Sequence, residues 1–301
     1  SKVLELGSNS ASKRNMLERL ISSKKLVRII EAHSPLSAII AEKISFDTKT
    51  EKKEFDGFWS SSLTDSTLKG KPDIEVLETA QRLANINEIF DVTSKPLILD
   101  ADTGGKLEHF EINIKSIERS GVSAVIIEDK KGLKKNSLFG TSVKQEQEDI
   151  KTFCNKIKLG NKSIANKELM IFARIESFIL GKGLNDALKR ANSYIDAGAK
   201  GIMIHSKLNK PTEVFKFAEK FRKTNNKTPL IVVPSSFSAV RENELINHGF
   251  NIVIYANHLL RASYPAMLNT ARMILKNGRA KEAEKKLMKI KEILELIPGT
   301  K

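Results

Sequence analysis

Eight short apolar runs recur along the chain, each parted from the next by a more polar segment, and this alternation leaves few folds open. The runs are Leu26–Ala32, Phe55–Trp59, Pro96–Leu99, Ser123–Ile127, Leu169–Ala173, Gly201–Ile204, Pro229–Val233 and Asn251–Tyr255. Short continuous hydrophobic runs of this kind read as strands buried on both faces. Apolar residues recur at helical spacing over Ile74–Ile89, Phe110–Arg119, Gln145–Lys158, Asn185–Ala197 and Thr212–Lys223, and Gly121, Gly198 and Gly249 stand where C-terminal caps belong. Eight strands alternating with helices predict a (β/α)₈ TIM-type barrel. A doubly wound open sheet is the second choice, but the glycine fingerprint of a dinucleotide site is missing.

The whole chain, 1–301, reads as one barrel domain with its core over about 24–277. An N-terminal extension, 1–23, carries a helix expected at Ser12–Ile21. Within it Gly7-Ser8-Asn9-Ser10-Ala11-Ser12-Lys13 superficially resembles a phosphate loop, but it lacks the second glycine and a preceding strand. The tail, 280–297, reads as a long amphipathic helix ending at Pro298-Gly299. Its stripe of Leu287, Ile290, Ile293, Leu294 and Ile297 must be buried, either on its own barrel or by exchange with a partner subunit.

Composition narrows the class. At 40% hydrophobic and 29% charged the chain is globular rather than disordered, and no apolar run has the length of a membrane span. The lone Cys154 excludes a disulfide framework and a cysteine zinc site, so a reducing, cytoplasmic setting is expected. The net charge of +15 raises the question of nucleic acid. Yet the lysines are spread along the chain, many are paired with acids at helical spacing, and few aromatics are available to stack bases. A solvated lysine surface that attracts small anions, with no nucleic-acid or membrane partner, is the expectation.

The chemistry lies where the strands stop. Pro96–Leu99 runs into Asp100-Ala101-Asp102, and Ser123–Ile127 into Glu128-Asp129-Lys130. Acids crowded at neighbouring strand ends repel one another unless a cation lies between them. An oxygen-only set points to Mg²⁺, or Mn²⁺ in its place. The other strands end in Glu31-Ala32-His33-Ser34, Trp59-Ser60-Ser61-Ser62-Leu63 (with Asp73 farther on), Arg174-Ile175-Glu176, His205-Ser206-Lys207, Pro234-Ser235-Ser236 and Asn257-His258 followed by Arg261. Any one of these is an ordinary loop residue or helix cap taken singly. Polar residues after nearly every strand, on the face where barrel enzymes keep their sites, are a stronger signal. A metal–carboxylate cluster facing Arg174 and His205 suits a small substrate with carboxylate and phosphate groups.

These pieces resemble the phosphoenolpyruvate mutase family, within the isocitrate lyase and phosphoenolpyruvate mutase superfamily. The matching segments are EAHSPLSAII at 31–40, GFWSSSL at 57–63, LDADTG at 99–104, EDKKGLKKNS at 128–137, ARIESF at 173–178, MIHSK at 203–207 and YANHLLRAS at 255–263. The resemblance implies interconversion of phosphoenolpyruvate and 3-phosphonopyruvate, with Mg²⁺ held directly by Asp100 and through water by Asp73, Asp102 and Glu128. It implies that Trp59 and Ser61, with the backbone N–H groups of Ser62 and Leu63, bind the pyruvate-like carboxylate and enolate. It implies that Arg174, His205 and Asn136 contact the migrating phosphoryl group, that Lys130–Ser137 closes over the substrate carrying Lys134 and Asn136 inward, and that the chain forms a homotetramer, a dimer of dimers.

Four positions depart from the family pattern. Ser62 stands where a glycine is frequent, Gly132-Leu133 replaces an aromatic–proline pair, Pro72 rather than arginine precedes Asp73, and a charged insertion spans Ser45–Lys53. Phosphonopyruvate hydrolase is the nearest rival reading; it tends to carry threonine-type residues where this chain has Asn136. The lyase branch uses a loop cysteine as acid/base, and here the corresponding loop has none. Cys154 lies instead on the apolar pattern of the next helix. A basic binding barrel without catalysis is the remaining alternative.

Overall fold

Eight parallel strands close into a barrel in the computed structural model, which describes residues 10–166 and 168–300. They are β1 (Val27–Glu31), β2 (Gly57–Ser60), β3 (Leu97–Asp100), β4 (Ala124–Glu128), β5 (Met170–Ile175), β6 (Gly201–Ile204), β7 (Leu230–Val232) and β8 (Ile252–Tyr255). Each pairs with its sequence neighbour, and β1 pairs with both β2 and β8 to complete the ring. Every expected run supplies one strand.

Successive side chains of a strand point to opposite faces. The even-spaced set Val27, Ile29, Ile98, Ala124, Ile126, Met170, Phe172, Met203, Ile231, Ile252 and Ile254 fills the barrel interior. The intervening set, including Ile30, Phe58, Leu99, Val125, Ile127, Ile171, Ile202 and Val253, packs outward against the helices. Gly57 sits where two strands approach closely: a Cβ there would lie 2.6 Å from the Pro96 carbonyl oxygen.

The helices are α1 (Ser10–Ser23), α2 (Pro35–Lys43), α3 (Ser62–Leu68), α4 (Thr79–Phe90), α5 (Leu107–Ser120), α6 (Ile150–Ser163), α7 (Gly183–Asp196), α8 (Thr212–Arg222), α9 (Glu242–Asn247), α10 (His258–Asn277) and α11 (Ile290–Leu296). Gly121 ends α5 with φ 92°, a left-handed cap as its position predicts. α1 closes the N-terminal mouth of the barrel. Its Leu17 is buried among the interior residues, Lys13 Nζ donates to the Thr93 carbonyl at 2.8 Å, and Ser123 Oγ donates to the Lys13 carbonyl at 2.6 Å. Residues 7–9 of the phosphate-loop-like stretch lie outside the described residues.

Several boundaries differ from expectation. The helix expected from Ile74 begins at Thr79, because Glu75 takes a φ of 59° and its carboxylate accepts from Thr103 N and Oγ1, both at 2.6 Å. The helix expected from Gln145 begins at Ile150, capped by Asp149. The charged insertion forms a hairpin, Ser45–Asp47 against Lys52–Glu54. The single tail helix expected over 280–297 is not formed. Gly278, with φ 63°, stops α10, a 3₁₀ turn follows at Glu284–Lys286, and only Ile290–Leu296 is α-helical. Residues 280–286 carry five charged side chains and only Ala283 is buried, too little apolar surface to hold them helical.

α10 has no buried side chain, although it follows β8, where the eighth barrel helix belongs. Outside β1 and β8 a cavity of ≈ 450 Å³ opens instead, lined by Ile30, Ile44, Phe46, Phe55, Tyr255 and His258 among others. Among the described residues no helix is long and apolar enough to cross a membrane.

Candidate active site

The inward register that packs the core also aims the site. Two residues beyond Ile98 is Asp100; two beyond Ile126 is Glu128; two beyond Phe172 is Arg174; two beyond Met203 is His205. Strand pairing sets Glu128 beside Arg174 and Arg174 beside Met203. Trp59 extends the same layer from β2. At the C-terminal mouth Trp59, Asp100, Arg174 and His205 surround a small cavity of ≈ 70 Å³, with Ser61, Ser62, Leu63, Asp73, Lys134 and Asn136 also on its wall. Glu128 is not on that wall but lies against Arg174, 3.4 Å from Nη1. A larger cavity of ≈ 430 Å³ lies behind Asp102 and Arg82, between α4 and α5, away from Arg174 and His205.

On one side of the small cavity are the acids. Asp100 Oδ2 accepts from Ser62 N at 3.0 Å and lies 2.8 Å from Ser62 Oγ. Asp102, at φ 54°, turns its N–H to Asp100 Oδ1 at 3.1 Å. Lys134 Nζ pairs with Asp73 at 2.9 Å, with Asp102, and with Ser62 Oγ at 2.5 Å. Asn136 Nδ2 donates to Asp73 Oδ2 at 3.0 Å. The segment Lys130–Ser137 is thus folded over the mouth, with Lys134 and Asn136 inward and Leu133 63% exposed at its tip.

On the other side are the cations. Arg174 donates through Nε to Glu176 at 2.5 Å and through Nη2 to Ser137 Oγ at 2.6 Å, and Nη2 lies 3.1 Å from His205 Nδ1. A guanidinium only donates, so Nδ1 is the acceptor and the neutral ring carries its proton on Nε2. Burial, reinforced by Arg174, pushes the His205 pKa down, consistent with that neutral form.

The carboxylates divide by surroundings. Burial alone would raise Asp100, but Lys134, Arg82, Arg174 and the Ser62 N–H outweigh it and hold Asp100 well below the usual range. Burial pushes Asp102 up to about 6 against the pull of Lys134, and Glu128 up to about 7 against Arg174 and Lys130. Both Glu128 oxygens are buried without a hydrogen-bond partner, the nearest cations being Lys130 and Arg174 at 3.4 Å.

That donor set fits a hard divalent ion. Among the described residues no three His, Cys, Asp or Glu side chains converge into a preformed cage. Mg²⁺ needs none, since it keeps several waters and takes one or two carboxylates directly. The orphaned oxygens of Glu128 beside the mouth, and the lysine ammonium drawn between Asp73 and Asp102, both mark acids that call for positive charge.

Other strand-end residues go elsewhere. Asp129 points outward, one residue out of phase with Glu128, and accepts from Tyr194 Oη at 2.7 Å and Glu176 N at 2.9 Å. Glu31 pairs with His33 at 3.1 Å and accepts from Leu260 N at 3.3 Å. His258 faces the cavity outside β1 and β8, and Ser34 caps α2. The Ser62 N–H, expected to face a substrate carboxylate, is directed to Asp100. Cys154 sits half-buried on α6, where burial raises its pKa, and it takes no part in the mouth. Sequence reasoning gave no role to Glu176, which anchors Arg174, or to Arg82. The first lies inside the ARIESF segment; the second carries no motif.

An eight-stranded β/α barrel whose C-terminal mouth sets acids against a buried arginine and a histidine defines a class: TIM-type barrels that build their site on the ends of the strands. The chain belongs to the phosphoenolpyruvate phosphomutase family, whose profile matches residues 17–275. It is 36% identical to a phosphoenolpyruvate phosphomutase of Tetrahymena pyriformis, over 96% of this chain and 92% of the relative. The solved phosphoenolpyruvate phosphomutase of Streptomyces platensis subsp. rosaceus superposes with TM-score 0.85 at 32% identity, covering 96% of this chain and 95% of the other. A phosphonopyruvate hydrolase solved with oxalate and Mg²⁺ superposes with TM-score 0.82 at 30% identity, covering 96% and 95%.

Proposed function

We propose that this protein is a phosphoenolpyruvate mutase, interconverting phosphoenolpyruvate and 3-phosphonopyruvate. The observation that carries the reading is the closed loop: Lys134 and Asn136 reach the acids across a cavity whose far wall is Arg174 and His205. The reaction breaks the bond between phosphorus and the enolate oxygen and forms one between phosphorus and C3 of pyruvate. Between those events the phosphoryl group is loosely held, and water would turn it into phosphate. Positioning, cationic stabilisation and exclusion of water are therefore the protein's tasks.

Asp100 directly, and Asp73, Asp102 and Glu128 through water, would hold Mg²⁺, which would supply charge stabilisation for the carboxylate and enolate oxygens of pyruvate. Trp59, Ser61 and the Leu63 N–H at the start of α3 cradle the pyruvate moiety, the Ser62 N–H being taken by Asp100. Arg174 offers its fork to the phosphoryl oxygens and His205 its Nε2–H. Asn136 holds the phosphoryl group from the loop side, and Lys134 keeps the loop shut on the acids. Phosphorus NMR of Asn136→Ala against wild type tests the assignment. Mutase flux should fall sharply with Mg²⁺ affinity nearly intact, and some phosphate should appear. If wild type and Asn136→Ala alike yield only pyruvate and phosphate, the hydrolase reading replaces it.

Self-association completes the proposal. The bare α10, the cavity outside β1 and β8, and the exposed stripe of Leu287, Ile290, Ile293, Leu294 and Ile297 together favour exchange of the C-terminal segment between subunits, in a homotetramer built as a dimer of dimers.

A further inference from the structure

Arg82 rises from the first turn of α4, where nothing in the sequence singles it out, and is buried with 6% exposure. All three of its guanidinium nitrogens are used. Nε donates to Asp65 Oδ2 at 3.1 Å, Nη2 to the Ser60 carbonyl at 2.9 Å and to Ser60 Oγ at 3.1 Å, and Nη1 to the Asp100 carbonyl. Ser60 and Asp100 are the last residues of β2 and β3, the point at which two neighbouring strands part. Beyond Ser60 the chain turns into Ser61 and Ser62; beyond Asp100 it turns into Asp102. One planar group therefore spans the two strand ends from which the two halves of the acid side grow.

We propose that Arg82 is a positioning residue that fixes the metal-binding aspartate of β3 relative to the pyruvate-binding turn of β2. The inference rests on the metal-carboxylate reading of the mouth. Its physical basis is the rigid fork: a guanidinium reaches two carbonyls and a carboxylate at set angles, which a single ammonium cannot. Asp65 beside it, itself held by Ser60 Oγ at 3.0 Å, neutralises the arginine. The arginine thus brings geometry to the metal site, and with Nη1 3.9 Å from Asp102 Oδ2 it also helps keep the acids of β3 ionised, a charge that lysine would retain. The bond from Ser62 N to Asp100 Oδ2 at 3.0 Å depends on this register, so the fork also sets where the Asp100 carboxylate points. Outer groups that orient ligands in this way typically change metal affinity on the order of 10–100-fold when removed.

The test uses Mn²⁺ as probe, by electron paramagnetic resonance titration of the full chain with and without oxalate, on wild type, Arg82→Lys and Arg222→Lys. Arg222 is a matched control: it too forks onto carbonyls, of Gly249, Asn225 and Thr228, but these precede β7 and β8 at the opposite end of the barrel. Arg82→Lys should weaken Mn²⁺ binding on the order of 10-fold or more, while Arg222→Lys lowers thermal stability and leaves Mn²⁺ affinity within about twofold. Equal Mn²⁺ affinity in wild type and Arg82→Lys would overturn the proposal. So would an equal loss in both variants, which would mark a general effect of destabilisation. If Arg82→Lys fails to fold, Ser60→Ala removes one bond of the fork and should shift affinity in the same direction; no shift there also overturns it. A wild type that binds no Mn²⁺ even with oxalate refutes the metal reading itself, a result distinct from the failure of the Arg82 bridge.

Discussion

Replacing Arg174 with lysine keeps one positive charge in the mouth and removes the fork. In the structure Nε is committed to Glu176 at 2.5 Å and Nη2 to Ser137 Oγ at 2.6 Å and His205 Nδ1 at 3.1 Å, while Nη1 lies 3.4 Å from Glu128. A lysine ammonium can satisfy Glu176 or approach Glu128, but it cannot span both and still present two parallel donors to a phosphoryl group. Removal of one preorganised transition-state donor costs about 2.7–4 kcal/mol, or roughly 10²–10³ in kcat. Steady-state kinetics on phosphonopyruvate, with Mg²⁺ saturating, should therefore show a fall of at least about 10²-fold. Mg²⁺ half-saturation should move much less, because the acids that hold the ion are untouched. Wild-type kcat in Arg174→Lys would show that the residue is structural and would refute the phosphoryl role.

Three other outcomes follow from the geometry. Asp100→Ala should abolish turnover and Mg²⁺ dependence together while leaving the circular dichroism spectrum of the barrel intact; retained activity with full Mg²⁺ dependence would remove Asp100 from the site. Burial pushes the Lys13 ammonium down from 10.5 to about 8, Glu42 and Asp91 opposing it, so between those values the unfolded chain holds the extra proton. Stability should then rise with pH from about 8 towards 10.5, and Lys13→Met, followed by thermal melts across that window, should flatten the rise. If the proposed homotetramer exchanges its C-terminal segments, wild type should sediment as a tetramer and Ile293→Asp, which places a charge on the exposed apolar stripe of α11, as smaller species; a wild-type monomer or an unchanged assembly in the variant would exclude segment exchange.

Much of the molecule was legible because it follows two periods. The strands announced themselves as apolar runs, and period-two alternation carries each run past its end into the mouth, so that Ile98 leads to Asp100 and Phe172 to Arg174. The same rule separates Glu128, which faces in, from Asp129, which faces the helices. That separation is available in the sequence from the period of two alone. What could not be read arises from contacts distant in the chain. The segment before α4 has helical spacing, yet Glu75 is drawn to Thr103, 28 residues on, and leaves the helical region. Arg82 occupies an ordinary helix position and gains its role only because the ends of β2 and β3 lie above it. The hairpin at 45–54 and the broken tail lack a buried face, so periodicity had little to report.

The reading stands or falls on where the phosphorus goes. Purified wild-type protein with Mg²⁺ and 3-phosphonopyruvate, followed by phosphorus NMR, measures this without a coupling enzyme. A phosphoenolpyruvate signal should grow as the phosphonate signal falls, with inorganic phosphate a minor product. Conversion to inorganic phosphate alone would contradict the mutase account and assign hydrolysis; an unchanged phosphonate signal would contradict both.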